Sequence, residues 1–191
     1  MLRAAEQLVT ELGPEAVSVR EVARRAGVSS GAPFHHFPTR QALMTAVAEE
    51  ATHQLRQRME AAVAAIPETK PAKRMRAIAH AYLRWVMDSP ARFKVVSDRR
   101  LIDYSEPIQQ DSEAILALIR DALRQAIRSD GKRAIDIDLA MLEMRAMAYG
   151  LARMHVDGQL PQWGVPDAEA LGRMEAALDD LLARMMGKKA A

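Results

Sequence analysis

The stretch that decides the fold covers residues 18–43 and reads SVREVARRAGVSSGAPFHHFPTRQAL. Ser18 followed three residues later by Glu21 is a capping box, in which the serine hydroxyl caps a free backbone N–H and the glutamate reaches back to the start of the helix. Gly27 is well placed for the left-handed residue that often follows a helix. The stretch therefore predicts a helix that begins at Ser18 and ends just before Gly27.

A second, shorter helix is predicted directly after the first. Proline is tolerated only in the first turn of a helix, so Pro33 places the helix start close by, with Ser29 or Ser30 as the N-cap. Phe37-Pro38 closes it, because the residue before a proline avoids the helical region. Two helices joined by about three residues around a glycine form a helix-turn-helix.

Outward from this unit the chain is predicted to be all-α, because no run of strand type stands out and aromatic residues make up only 4%. Thr39 can cap a helix over residues 40–65, which at 1.5 Å per residue is about 40 Å long. Apolar periodicity and proline or glycine stops predict the other helices at about residues 2–12, 72–88, 90–102, 107–129, 136–156 and 167–186.

Composition excludes several classes of protein. The 191 residues contain no cysteine, which rules out disulfides, thiol catalysis and zinc–thiolate sites and suits a reducing cytoplasm. No run of 18 or more apolar residues exists, so no membrane span is expected. The net charge is only +2, so any argument for nucleic acid has to be local.

The local charge of the helix-turn-helix is strongly positive. Residues 18–40 contain four arginines and a single glutamate. Duplex DNA requires cations for its phosphates, a helix that fits the major groove and small or hydrogen-bonding side chains at the start of that helix. The second helix presents such side chains at Ser29, Ser30, Gly31 and Ala32, with His35 one turn further on. The unit therefore indicates DNA binding.

Residues 2–48 resemble the DNA-binding domain of the tetracycline-repressor (TetR) family. The family pattern is a capped helix, an Ala-Gly-Val-Ser turn, a short recognition helix that ends in an aromatic run, then a proline, a polar cap, a basic residue and a leucine. In this chain the pattern is carried by Ala26-Gly27-Val28-Ser29, Phe34-His35-His36-Phe37, Pro38, Thr39, Arg40 and Leu43.

The resemblance implies a homodimer that binds a palindromic operator in double-stranded DNA, usually as a repressor, and releases it when a small-molecule effector binds. It implies a DNA-binding domain over residues 1–48 and an all-helical ligand-binding and dimerisation domain over residues 49–191. By position, the phosphate contacts would be Ser18, Arg20, Thr39 and Arg40, and the groove-facing residues Ser30, Gly31, Ala32, His35 and His36. Phe34 stands where tyrosine is common in the family, so it would pack or touch a thymine methyl.

Plainer interpretations of the same residues stay open. Arg24 and Arg25 could form an ordinary solvated helix face, and His36 could be a core histidine beside Phe37. A metal site at His35 and His36 is not expected, because adjacent helical residues diverge and no carboxylate stands at ligand spacing.

The last two long helices are predicted to form the dimer interface. Apolar residues recur there at coiled-coil spacing, and Gly150 permits close backbone contact. The residues concerned are Met147, Gly150, Met154, Leu171, Met174, Leu178, Leu181 and Met185. The alternative is that these stripes face the protomer's own core.

An effector pocket is predicted among the helices over residues 72–129. Its expected lining is Tyr82, Trp85, Met87, Phe93, Leu101, Tyr104, Leu116 and Ile119, although such a stripe can also be plain core. A pocket of this composition favours apolar ligands. No cofactor is expected.

Two rival functions differ in kind from a repressor. An enzyme is disfavoured because the sequence has no nucleophile–base pair at motif spacing, no glycine-rich phosphate loop and no HExxH motif. The second rival is a helical dimeric module for protein interaction or ligand sensing that has lost DNA binding. The intact cap, Gly27, Arg20 and Arg40 argue against it.

Overall fold

The computed structural model of the chain describes residues 1–29, 34, 36–128 and 135–187. These residues contain α-helices and short 3₁₀ turns and no strand, which confirms the all-α prediction. The helices are α1 (Leu2–Leu12), α2 (Val19–Arg25), α3 (Arg40–Ala64), α4 (Pro71–Asp88), α5 (Pro90–Ser97), α6 (Glu106–Arg128), α7 (Ile137–Val156) and α8 (Ala170–Met185).

Most predicted helix limits agree with the structure to within three residues, but α5 is shorter than expected. It ends at Ser97, so the prediction of helix through residue 102 is wrong. Asp98 leaves the helical conformation, and its carboxylate accepts a hydrogen bond from the backbone N–H of Arg100 at 3.0 Å. In this irregular turn Leu101 and Ile102 are both buried, at 3% and 5% exposure.

The described chain forms two compact units. The first unit comprises residues 1–54 together with residues 89–112. α1 packs there against α2, α5 and the 3₁₀ turn at Pro14–Ala16. Its buried core includes Ala5, Leu8, Val9, Val22, Leu43, Met44, Val47, Val95 and Leu101. The domain boundary predicted after residue 48 stays a prediction.

The second unit comprises residues 55–88 together with residues 113–191. α4 packs against both α7 and α8, and these two also pack against each other. Its buried side chains include Met75, Ile78, Leu83, Val86, Met144, Met174, Leu178 and Leu182. Within the part of the chain that the structure describes, no helix is both long and apolar enough to cross a membrane.

Candidate nucleic-acid interface

The start of α2 is capped as the sequence predicts, with one difference. The Ser18 hydroxyl oxygen accepts a hydrogen bond from the backbone N–H of Glu21 at 3.2 Å. The Glu21 carboxylate does not complete the capping box but accepts two hydrogen bonds from the Arg24 guanidinium, at 2.9 and 2.5 Å. The cap therefore fixes the first turn of α2 through the serine alone.

The end of α2 is a Schellman turn built around Gly27. The Gly27 N–H donates to the Arg24 carbonyl at 3.2 Å, and the Val28 N–H donates to the Ala23 carbonyl at 3.1 Å. Gly27 has a φ of 68°, the left-handed conformation that glycine adopts without penalty. The predicted role of Gly27 is confirmed, and the turn sets the direction in which the chain leaves α2.

The predicted groove-facing segment is described only in part. Ser30, Gly31, Ala32, Pro33 and His35 lie outside the described residues, so their predicted contacts stay predictions. Ser29 is exposed, and Phe34 is 40% exposed. His36 is also exposed, with its ring 6.4 Å from that of Phe37, which packs against the core of the first unit. The core-histidine interpretation of His36 is therefore wrong.

Three of the four arginines have partners within the first unit, and two of them, Arg24 and Arg25, lie at the end of α2. Besides the Arg24–Glu21 pair, Arg25 donates two hydrogen bonds of 2.7 Å each to the Glu11 carboxylate at the end of α1. These hydrogen bonds hold the pKa of the Glu21 and Glu11 carboxyls below their ordinary value of 4.5. Both glutamates are therefore ionised at neutral pH and offset the charges of Arg24 and Arg25.

Arg20 differs from its neighbours. Its side chain is exposed on α2 and makes no hydrogen bond or ion pair with any described residue. It lies two residues after the Ser18 cap, where the free N–H groups of a helix start favour a nearby anion. Arg20 is thus a cation of α2 that remains available to an external phosphate.

Thr39 and Arg40 hold the start of α3. The Thr39 hydroxyl accepts a hydrogen bond from the Ala42 N–H at 3.0 Å, which confirms the predicted cap. Arg40 donates to the Pro14 carbonyl at 2.6 Å and to the Glu15 carboxylate at 3.1 Å. The sequence alone does not reveal these acceptors, because they lie 26 and 25 residues away along the chain and no local pattern marks them. Arg40 therefore ties α3 to the turn after α1.

Two family descriptions match the chain. Residues 1–47 match the bacterial regulatory proteins of the tetR family, and residues 75–181 match the tetracyclin repressor-like C-terminal domain. The chain belongs to the TetR family.

Individual TetR-family proteins resemble the chain to different extents. An uncharacterized HTH-type transcriptional regulator of Mycobacterium tuberculosis (strain CDC 1551 / Oshkosh) is 34% identical over 91 residues, which are 48% of this chain and 44% of that protein. The chain thus spans less than half the length of that curated relative.

Solved structures resemble the chain over nearly its whole length. The regulator PfmR of Thermus thermophilus has a TM-score of 0.74 at 22% identity and covers 95% of this chain and 96% of its own. FadR of Bacillus subtilis, in complex with stearoyl-CoA, has a TM-score of 0.70 at 18% identity over 95% and 96% of the two chains. At these identities the likeness shows the TetR fold.

The residues predicted to line the effector pocket of this TetR-family chain are divided between the two units. Tyr82, Trp85, Met87, Leu116 and Ile119 belong to the second unit, and Phe93, Leu101 and Tyr104 to the first. Leu116 and Tyr104 are 51% and 43% exposed. The pocket as a whole stays a prediction.

Of the residues predicted to line the effector pocket, Tyr82 and Trp85 lie side by side in the structure. Both are buried, and their rings stack with centroids 6.5 Å apart. Burial raises the pKa of the Tyr82 phenol to about 12, so it stays neutral. The Trp85 indole N–H is buried without a hydrogen-bond partner among the described residues.

The residues of the predicted dimer interface differ in how deeply they are buried in the protomer. Met174 and Leu178 are each 1% exposed inside the second unit, so these two pack in the protomer's own core and have almost no surface to offer a second copy. The other predicted interface residues are partly exposed: Met147, Gly150, Met154, Leu171, Leu181 and Met185. On α7 two further leucines, Leu139 and Leu142, are 54% and 64% exposed. The described residues contain no cluster of histidines and carboxylates able to hold a metal ion.

Proposed function

We propose that this TetR-family chain is a ligand-responsive transcriptional repressor that acts in the cytoplasm. It binds a palindromic operator as a homodimer and is released by a small, apolar effector. The observation that carries the proposal is Arg20, a cation on a capped helix that has no partner among the described residues and precedes a segment of small side chains. By contrast, Arg24 and Arg25 at the end of the same helix are paired with Glu21 and Glu11.

In the proposed complex, α2 lies across the DNA backbone and the segment after Gly27 enters the major groove. Ser18, Arg20 and Thr39 bind phosphates and fix the position of the unit. Ser30, Gly31, Ala32, His35 and His36 face the bases, while Ser29 and Phe34 border them. Few of these side chains are long, so sequence preference also depends on dimer symmetry and DNA shape.

The proposed effector binds in the second unit near Tyr82 and Trp85. Their buried rings supply apolar surface, and the neutral phenol and the indole N–H are hydrogen-bond donors. The complex of FadR with stearoyl-CoA supports a ligand with a large apolar part in a chain of this fold. Binding and release require no turnover, so the repressor is not an enzyme.

Selection of genomic fragments by the purified protein tests the proposal. We expect enrichment of a palindromic sequence, and affinity for it that falls steeply as salt rises. Arg20→Ala should weaken binding to all sequences. It should also reduce, by about one, the steepness with which the logarithm of the affinity falls with the logarithm of the salt concentration (the salt slope). Arg124→Ala, which removes an exposed cation of α6 that has no described partner, is the matched control and should change neither.

Failure of the enrichment would overturn DNA binding. If no fragment is enriched and Arg20→Ala behaves like the wild type on bulk DNA, the helical interaction or sensing module replaces the repressor as the proposed function. Both variants should be shown to unfold at the wild-type temperature before the comparison is made.

A further inference from the structure

A groove of about 640 Å³ lies between α3 and α4 within the second unit. This volume is in the range of about 300–1,000 Å³ that small-molecule sites occupy. This α3–α4 groove is lined by Arg58, Ala62, Ile66, Lys73, Arg76, Ala77, His80, Ala81, Arg84 and Asp88. None of these residues belongs to the effector pocket predicted from the sequence.

The lining combines positive charge with an apolar floor. Its cationic side chains are those of Arg58, Lys73, Arg76 and Arg84, whereas Asp88 is the one carboxylate among the described lining residues. The remaining surface is mostly aliphatic and comes from Ala62, Ile66, Ala77 and Ala81. A ligand that matches the groove therefore has both an anionic group and an apolar body.

Two arginines of the groove are fixed by carboxylates of α8. The Arg76 Nε donates to Asp179 at 2.7 Å, and the Arg84 Nε donates to Glu175 at 2.9 Å. In both side chains the terminal Nη groups donate to no described residue. A guanidinium fixed through its Nε presents its free N–H donors as a rigid fork suited to carboxylate or phosphate.

His80 lies between the two arginines and completes this arrangement. Its Nε2 is 3.0 Å from Asp179 and its Nδ1 is 3.5 Å from Glu175. Each carboxylate of α8 is thus shared between an arginine and the histidine, and the side chains of His80, Asp179 and Glu175 are all less than a quarter exposed. The carboxylates are consequently turned toward α4 and do not occupy the groove themselves.

The other two cations are readily available to a ligand. The Lys73 ammonium is exposed and makes no ion pair with the described residues. Arg58 binds Asp88 at 2.6 Å, but the two side chains are 43% and 59% exposed. An exposed pair of this kind is weak, so Arg58 can exchange its partner for a bound anion.

We propose that the α3–α4 groove is a second small-molecule site, which binds an organic anion with an aliphatic body. The anionic group lies among Lys73 and the free Nη groups of Arg76 and Arg84. The body of the ligand covers the alanines and Ile66. The site is separate from the proposed effector pocket near Tyr82 and Trp85, and it does not depend on DNA binding.

Isothermal titration calorimetry of the full chain with decanoate tests this proposal, with 1-decanol as the uncharged counterpart and inorganic phosphate as the anion without a body. We expect decanoate to bind one groove per chain and to weaken as salt rises. Lys73→Gln should lower its affinity about tenfold, the usual effect of losing one charge-assisted contact. Arg76→Gln should act in the same direction. The matched control, Arg124→Gln on α6, should leave the affinity unchanged.

Each other outcome contradicts the proposal. If decanoate binds all four proteins equally, it binds elsewhere. If 1-decanol loses as much affinity in Lys73→Gln as decanoate does, charge is not what the groove recognises. If inorganic phosphate binds as tightly as decanoate, the apolar floor contributes nothing. Lys73 has no described partner, so its variant should fold even if Arg76→Gln does not.

Discussion

The Arg25 guanidinium donates two parallel hydrogen bonds to the Glu11 carboxylate, both 2.7 Å long. This bidentate pair joins the last turn of α2 to the last turn of α1, 14 residues earlier in the chain. It adds a polar clamp to the apolar contacts between these helices, in which Leu8, Val9 and Val22 are completely buried. The orientation of α2, and of Arg20 upon it, depends on both.

The pair makes a small part of the stability depend on pH. Arg25 lowers the pKa of the folded Glu11 carboxyl below 4.5, so the stabilisation is fully present above that pH and is lost as the pH falls through the folded pKa. Glu11→Gln should therefore lower the melting temperature slightly at pH 7 and hardly at all well below pH 4.5. Glu113→Gln, at an exposed carboxylate of α6, is the control. A difference from the wild type that persists unchanged in acid would show that the charge of Glu11 is unimportant.

We expect Arg40 to contribute to the stability of the fold rather than to the binding of DNA phosphates. Arg40→Ala removes the hydrogen bond to the Pro14 carbonyl and should lower the free energy of unfolding by about 1–2 kcal/mol. The salt slope of DNA binding should stay the same, since this guanidinium already has partners. Urea denaturation and binding at several salt concentrations give the two quantities. In Arg20→Ala we expect the reverse, with a smaller slope and near-normal stability. A reduced slope in Arg40→Ala would instead assign Arg40 to the DNA.

Gly27→Ala should destabilise the first unit by about 1 kcal/mol, because the left-handed φ of 68° is unfavourable for alanine. A Cβ at this position meets no atom within 4 Å, so the cost comes from the backbone and not from a clash. Gly172→Ala, within α8 and equally unobstructed, should instead stabilise by about 0.5–1 kcal/mol. Chemical denaturation of both variants measures the contrast. Equal effects would mean that the turn tolerates alanine by changing its conformation.

The proposed dimer should separate when a charge is placed on the exposed face of α7. Leu142 is 64% exposed in the protomer, so Leu142→Glu should fold normally and give a monomeric mass by light scattering. Leu178 is 1% exposed, so Leu178→Glu should unfold the second unit, because a carboxylate is buried without a partner. Leu12→Glu alters a 56% exposed leucine of α1 and should remain a dimer. A dimeric Leu142→Glu would place the interface on another face.

Local chemistry made much of the fold predictable from the sequence. Ser18 and Thr39 cap helices because each hydroxyl reaches an N–H only three residues away, and Gly27 ends α2 because its conformation is disfavoured for other residues. Proline positions and apolar periodicity likewise placed both ends of α3, α4 and α7 to within a residue or two. Family resemblance in residues 2–48 then indicated the proposed function.

Interactions between residues far apart in the chain were decided only by the tertiary structure. The sequence marks Arg40 as basic, but only the folded chain brings it to the Pro14 carbonyl. The sequence marks Met174 and Leu178 as an apolar stripe, and such a stripe suits a protomer core and a dimer interface equally well. Only the packing of α4 against α8 shows that these two residues belong to the core. The same holds for Arg76 and Arg84, whose orientation depends on two carboxylates of α8 that lie 103 and 91 residues away along the chain. A cap or a turn is specified by neighbouring residues, whereas the partner of a charge or an apolar face depends on which helices pack together.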